Sequence, residues 1–342
     1  LSFAEWSARA LAEAQSPLRS SAARDWLSFL SATDANGPAD EQKALNGAEL
    51  FTRYLQAART PDAVLMAPGP GRFLLPGDLA GSPLITFFPL PPSGTGGPAR
   101  SSLAGMLARR YESYKSHVVQ PFFRDHFARL DRQIVLVDAL SAVNSGPEAL
   151  LDLQATMEAV LRCFRPGANT LLSSLIAPRI DRLMFAATKA DHLHHASHDR
   201  LEAILRLLAE RAIARASFAG AEVKVMALAA LRATREAEAR SGWQRLPCIV
   251  GVPLRGERLG RKVFDGRTEA AVFPGDLPAD PASLLTASLT TSSAAAAASD
   301  SVHFLRFRPP RVSLESPAGD APALPHIRLD RAIDFLLGDQ LV

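Results

Sequence analysis

The chain has 342 residues, 47% of them hydrophobic and 21% charged, and a formal net charge of +3. It is long enough to bury a sizeable core as one elaborated domain or two. A charge this small, with no dense Lys/Arg block, excludes a nucleic-acid footprint, and no apolar run reaches membrane-spanning length.

Nothing at the start resembles a signal peptide. Cys163 and Cys248, far apart in apolar surroundings, read as reduced core cysteines of a cytoplasmic protein. The chain opens on Leu1 rather than Met, directly into an amphipathic segment, which suggests a piece of a longer protein.

Residues 1–60 are predicted helical. Trp6, Leu11, Leu27, Leu30, Leu45, Leu50 and Tyr54 are spread among Ala, Glu and Arg, with a break at Gly37-Pro38. Residues 61–100 are rich in Pro and Gly around the apolar stretch Leu84–Phe88, and a helix is predicted over Leu103–Arg129. Gln133–Leu140 (QIVLVDAL) reads as a strand buried on both faces. Asn144-Ser145-Gly146-Pro147 then opens a helix through about Phe164. A second strand at Leu183–Ala187, a helix from Asp199 to Ala216 and a third strand at Glu222–Ala229 complete a parallel α/β pattern.

From Ala233 to Pro322 short β-like runs alternate with Gly and Pro: Cys248–Val252, Val263–Phe264, Ala271–Phe273 and His303–Phe307. Ser288–Asp300, low-complexity Ala/Ser/Thr, reads as a mobile loop. His326–Leu341 returns to helical spacing, as a terminal helix that packs back onto the sheet. The organisation expected is therefore a mainly helical insertion over 1–130, a partial α/β core over 131–232, a β-rich insertion over 233–324 and a terminal helix over 325–342.

Leu183–Asp191 (LMFAATKAD) carries the most functional information. An apolar strand ends abruptly at Thr-Lys-Ala-Asp, the layout of a base-reading loop at the carboxyl end of a buried parallel strand. The Asp191 carboxylate offers two acceptors that match guanine N1–H and N2–H₂, whereas adenine N1 is itself an acceptor. The Lys189 stem can lie over a purine face with its ammonium in water, and Thr188 can brace the loop. On composition and periodicity alone, a solvated Lys/Asp turn is the more economical reading of so short a string.

Longer blocks change that balance. Pro70–Asp78 (PGRFLLPGD), Arg129–Ala139 (RLDRQIVLVDA) with Asn144–Pro147 (NSGP), Phe185–His192 (FAATKADH), and Pro325–Asp330 (PHIRLD) with Phe335–Asp339 (FLLGD) follow one another in an order and spacing that resembles the YcjX-like family of P-loop nucleotide hydrolases. The resemblance covers essentially the whole chain. It implies an α/β, P-loop NTPase-like (Ras-type) parallel sheet whose first strands are missing here, with an N-terminal helical insertion and a C-terminal β-rich one.

It also implies that Thr188, Lys189 and Asp191 form the base-specificity loop for GTP or GDP, with Ala229 and Ala230 touching the purine through backbone groups. The family's phosphate-binding glycine loop and its Asp-x-x-Gly magnesium motif are expected upstream of residue 1 and not within the chain, which has no Gly-Lys pair. Mg²⁺ ligands are thus expected upstream, and no residue here is named as catalytic, because phosphoryl transfer depends on positioning phosphates and metal.

Three functions stay in view. The leading one is a segment of a guanine-nucleotide-binding switch or hydrolase. The others are an interaction module whose insertions recognise a protein partner, and an ATP-preferring enzyme, which the Asp191 chemistry disfavours.

Other groups read as structural. His192, His194, His195 and His198 form a cluster in which His194 and His198 have the spacing of a helical metal pair, but no Cys, Asp or Glu completes a set at fixed spacing. A solvated loop is the better reading. Arg72 and Asp78 are candidate ion-pair partners, and Asp131 and Arg132 a solvated strand entrance. Asp138, after QIVLV, can be read as a metal ligand of the Walker B kind, but the family resemblance places it on a strand beyond the metal motif and so implies a loop-organising role.

Overall fold

The structure, a computed structural model, describes residues 1–17, 19–58, 71–91, 97–126, 130–163, 180–241, 244–286, 304–310 and 324–341. The chain divides into two compact units, Leu1–Arg129 and Leu130–Val342.

The first unit is helical: α1 (Phe3–Ala14), α2 (Ser20–Ser31), α3 (Glu41–Ala57), the single turn α4 (Gly71–Leu74), α5 (Leu103–Tyr114) and α6 (Gln120–Asp125). Polar caps set the helix starts. The Ser2 hydroxyl accepts from the Glu5 N–H while the Glu5 carboxylate accepts from the Ser2 N–H. Asp40 accepts from the Lys43 N–H, and Ser102 from the Gly105 N–H. The faces they orient bury an aromatic core in which Trp26 stacks on Tyr54 (5.5 Å) and Trp6 on Tyr111 (4.9 Å), with Phe51, Phe87 and Phe88 enclosed. Each such ring contributes about 1.5–3 kcal/mol by leaving water. Lys115–Val119, between α5 and α6, is a π-helical turn, so the predicted single helix is interrupted. Arg72 and Asp78 pair at 3.3 Å, as expected.

The second unit is built on three parallel strands in the order β1 (Arg132–Val137), β2 (Arg182–Ala187), β3 (Glu222–Ala227). Helices α7 (Ala139–Ser145), α8 (Pro147–Cys163) and α9 (His198–Phe218) connect them. Strand β1 is shorter than predicted, because Asp138 leaves the extended region and caps α7. It is also not buried on both faces: Ile134 and Leu136 are 37% and 60% exposed, since β1 stands at the edge of the sheet among the described residues.

The NSGP string turns the chain between helices. Gly146 adopts a φ of 91° that a side chain would resist, and Pro147 opens α8. The Asn144 amide meanwhile exchanges two hydrogen bonds with the Phe304 backbone, at 2.8 and 2.9 Å.

A second sheet, antiparallel, pairs β4 (Arg235–Ser241) with β5 (Gln244–Gly251) and β5 with β8 (Ala270–Val272), and β6 (Arg258–Leu259) with β7 (Lys262–Val263) form a small hairpin. A short helix, α10 (Ser283–Thr286), follows, and Ser288–Asp300 lies outside the described residues. Helix α11 (Leu329–Leu337) returns to the parallel sheet and buries Ala332 and Phe335 against Met184, Ala186 and Met226, as its spacing predicts. Arg132 is not a solvated strand entrance. Its guanidinium holds Asp339 (2.8 and 3.1 Å) just beyond α11, and Arg182 also reaches Asp339 and the Phe335 carbonyl.

Candidate nucleotide-base site

The carboxyl end of β2 is fixed from both sides before its side chains are considered. The Thr188 N–H and hydroxyl both donate to the Val137 carbonyl at the end of β1 (2.9 and 3.2 Å). On the other side the Leu228 N–H donates to the Ala187 carbonyl (2.8 Å), and the Ala190 N–H to the Leu228 carbonyl (3.2 Å). Lys189 then turns the chain with a φ of 62°, an uncommon conformation for a residue with a side chain, held here by bonds on either side. Beneath the loop, buried His198 donates from Nε2 to the Ala190 carbonyl (2.9 Å); the carbonyl can only accept, so that nitrogen carries the proton. Burial keeps the His198 pKa below its ordinary value.

Asp191 is buried, 3% exposed. Its Oδ2 accepts from the Ala233 N–H at 2.7 Å, and its main-chain carbonyl accepts from the Thr234 hydroxyl. Among the described residues no hydrogen bond occupies Oδ1, and Oδ2 retains a second lone pair. The Lys189 ammonium rests on Asp138 Oδ2 at 2.5 Å, and the same carboxylate accepts from the Ser141 hydroxyl (2.7 Å) and N–H (3.2 Å). Asp138 thus organises the loop, as expected, by capping α7 and tethering Lys189.

Thr188, Lys189 and Asp191 line one wall of a cavity of about 490 Å³, within the range of small-molecule sites. Leu228, Ala229 and Ala230 form another wall, and Leu254, Arg306 and Phe307 a third. The two alanines differ. Ala229 exchanges backbone hydrogen bonds with Ile327 (3.1 and 2.8 Å), which takes up its N–H and leaves its methyl and one lone pair of its carbonyl. Ala230 is exposed, and among the described residues no hydrogen bond engages its backbone.

Sequence reasoning missed Arg306 and Phe307. They arrive from a segment far along the chain, where Glu257 grips Arg306 through both oxygens (2.6 and 2.9 Å). No spacing rule links such positions.

The four histidines part company. His192 packs edge-on against Phe307 (5.2 Å), and its pKa is lowered by burial. His198 serves Ala190, so the i, i+4 pair does not form. His194 and His195 instead meet Glu236 on β4. The Asp-x-x-Gly string, expected to be absent, does occur twice, at Asp34–Gly37 and Asp78–Gly81. Both lie in the helical unit, where the Asp34 carboxylate accepts from the Asn36 N–H in a turn and Asp78 pairs with Arg72.

Comparison with known proteins places these observations in a family. The profile described as "YcjX-like family, DUF463" matches residues 1–341. A protein of Escherichia coli (strain K12) named Ras-like GTPase YcjX is 35% identical over 322 residues, 92% of this chain and 63% of its own length. One of the same name from Shewanella oneidensis is 33% identical over 278 residues, 80% of this chain and 53% of its own length. The chain thus spans somewhat over half the length of the curated relatives it matches.

Proposed function

The chain belongs to the YcjX-like family, and on that premise we propose that Leu130–Val342 carries the base-recognition half of a guanine-nucleotide site that takes GTP and GDP. In this reading Asp191 accepts from guanine N1–H through Oδ1 and from N2–H₂ through the remaining lone pair of Oδ2. Lys189, released from Asp138 or sharing it, lays its stem over the purine face, Thr188 holds the loop to β1, and Ala229 and Ala230 close the opposite edge. The observation that carries the reading is the buried Asp191 carboxylate at the wall of a nucleotide-sized cavity, at the carboxyl end of a parallel strand. Relatives named Ras-like GTPase support it.

The reading assigns no catalytic step to this chain. Asp191 is the one carboxylate among the described lining residues and is already committed, so Mg²⁺ and the phosphates it would neutralise are not assigned to residues here. A cytoplasmic setting fits the unpaired, buried Cys248. The test is calorimetry of the full-length gene product in Mg²⁺ with GDP and ADP. GDP is expected to bind at least tenfold more tightly; equal affinities would remove Asp191 from base selection.

A further inference from the structure

Beside the base loop, three side chains from two segments converge without any part in the reading above. His194 and His195 follow the loop, and Glu236 comes from β4. The Glu236 carboxylate is oriented by its first oxygen, Oε1, which accepts from the His195 N–H at 3.1 Å and lies 3.5 Å from the Arg232 guanidinium. Its second oxygen, Oε2, faces two ring nitrogens: His195 Nδ1 at 2.7 Å and His194 Nε2 at 4.0 Å. The two imidazoles lie against each other with centroids 4.2 Å apart, and the three ligand atoms all lie within 4.8 Å of one another.

Two ligands each about 2.1 Å from one ion, at the tetrahedral angle, stand about 3.4 Å apart. The 2.7 and 4.0 Å separations bracket that value, so small rotations about side-chain bonds suffice.

We propose that His194, His195 and Glu236 form a three-ligand site for a late first-row divalent cation of the zinc class. Two imidazoles select against Mg²⁺ and Ca²⁺, which take oxygen ligands, and favour Zn²⁺, Co²⁺ or Ni²⁺. The ion enters between His195 Nδ1 and Glu236 Oε2 and displaces the proton they share, which leaves to solvent. At His194, binding through Nε2 moves that ring's proton to Nδ1, and the 3.3 Å contact from the Ala196 N–H is given up. Arg232 opposes the ion's charge from the far side of Glu236 and shares only Oε1. A water completes the tetrahedron.

The consequence is mechanical. Asp191 is held by Ala233 and Thr234, immediately before β4, so an ion joining His194 and His195 to Glu236 fastens the loop to β4 a second time. The site does not depend on any nucleotide.

The test uses the untagged full-length gene product, stripped with chelator and titrated with Zn²⁺ by calorimetry, and with Co²⁺ followed by its visible ligand-field absorption. One ion per chain at micromolar or tighter affinity is expected, with Co²⁺ bands of tetrahedral intensity. His195→Ala, at an exposed position, and Glu236→Gln should each weaken Zn²⁺ by about tenfold to a hundredfold or more, and His126→Ala, in the other unit, should leave it unchanged. The retained melting profile of His195→Ala separates ligand loss from misfolding. Absence of stoichiometric binding by the parent, or variants that bind Zn²⁺ as the parent does, would overturn the proposal.

Discussion

Asp138 performs two tasks that two substitutions can separate. One oxygen caps α7 by accepting from the Ser141 N–H, and the other holds the Ser141 hydroxyl and the Lys189 ammonium. Losing an N-cap costs about 0.5–2 kcal/mol. The ion pair is roughly a third exposed on each side, so after solvent screening it is worth about 0.5 kcal/mol. Asp138→Ala should therefore destabilise the second unit by about 1–2.5 kcal/mol. For a unit this size that lowers its melting temperature by about 2–10 °C.

Asp138→Asn keeps an acceptor at the cap, where Asn is as favourable as Asp, and puts an amide NH₂ in place of Oδ2, so it gives up the ion pair with Lys189 while the Ser141 hydroxyl turns to accept from the amide. Its loss should be about 0.5 kcal/mol. The assay is urea unfolding followed by far-UV circular dichroism, with both variants beside the parent. Equal destabilisation by Asn and Ala would refute the division of labour, and a neutral Asp138→Ala would refute the cap itself.

Three further outcomes are expected. A Cβ on Gly47 would sit 2.2 Å from the ring of fully buried Phe88, so Gly47→Ala should cost the helical unit about 1–3 kcal/mol in urea unfolding; Gly71→Ala, whose Cβ would meet nothing within 4 Å among the described residues, should be near neutral. Because burial holds the His198 pKa below 6.5, the unfolded chain takes up the proton first. The stabilisation is present above 6.5 and is lost as pH falls through the lower folded value, and His198→Gln, which keeps an N–H donor, should flatten that part of a melting-temperature profile against pH. Finally, exposed Ile134 and Leu136 on the edge strand β1 should make the 342-residue chain self-associate in sedimentation velocity, and Ile134→Lys should reduce it; a strictly monomeric parent would contradict this.

What was legible in the residues, and what was not, follows from the range of the forces involved. The strands at β2 and β3, helix α9 and helix α11 announce themselves through apolar periodicity, which is local. So does the loop at Thr188–Asp191, because an apolar strand stops there at polar residues. Strand β4 (REAEARS) was invisible, since its charged alternation carries no apolar stripe and its pairing with β5 is what makes it a strand. The first two residues of helix α7, Ala139 and Leu140, read as the end of β1, because the cap at Asp138 competes locally with an apolar run that continues past it. The third wall of the cavity, with Arg306 and Phe307, and the meeting of Glu236 with His194 and His195 depend on contacts more than 40 residues apart. No periodicity encodes those.

The central claim is that Asp191 reads the base, and the most direct measurement is a nucleotide swap on the full-length gene product. Asp191→Asn replaces an acceptor with an amide donor that matches the C2 carbonyl of xanthine. Losing a charge-assisted double contact costs about 2–4 kcal/mol, or about 30-fold to 900-fold in affinity. Titrations of parent and variant with GDP and with xanthosine diphosphate should show GDP weakened by that factor in the variant and xanthosine diphosphate strengthened. A variant that binds both nucleotides as the parent does would contradict the account.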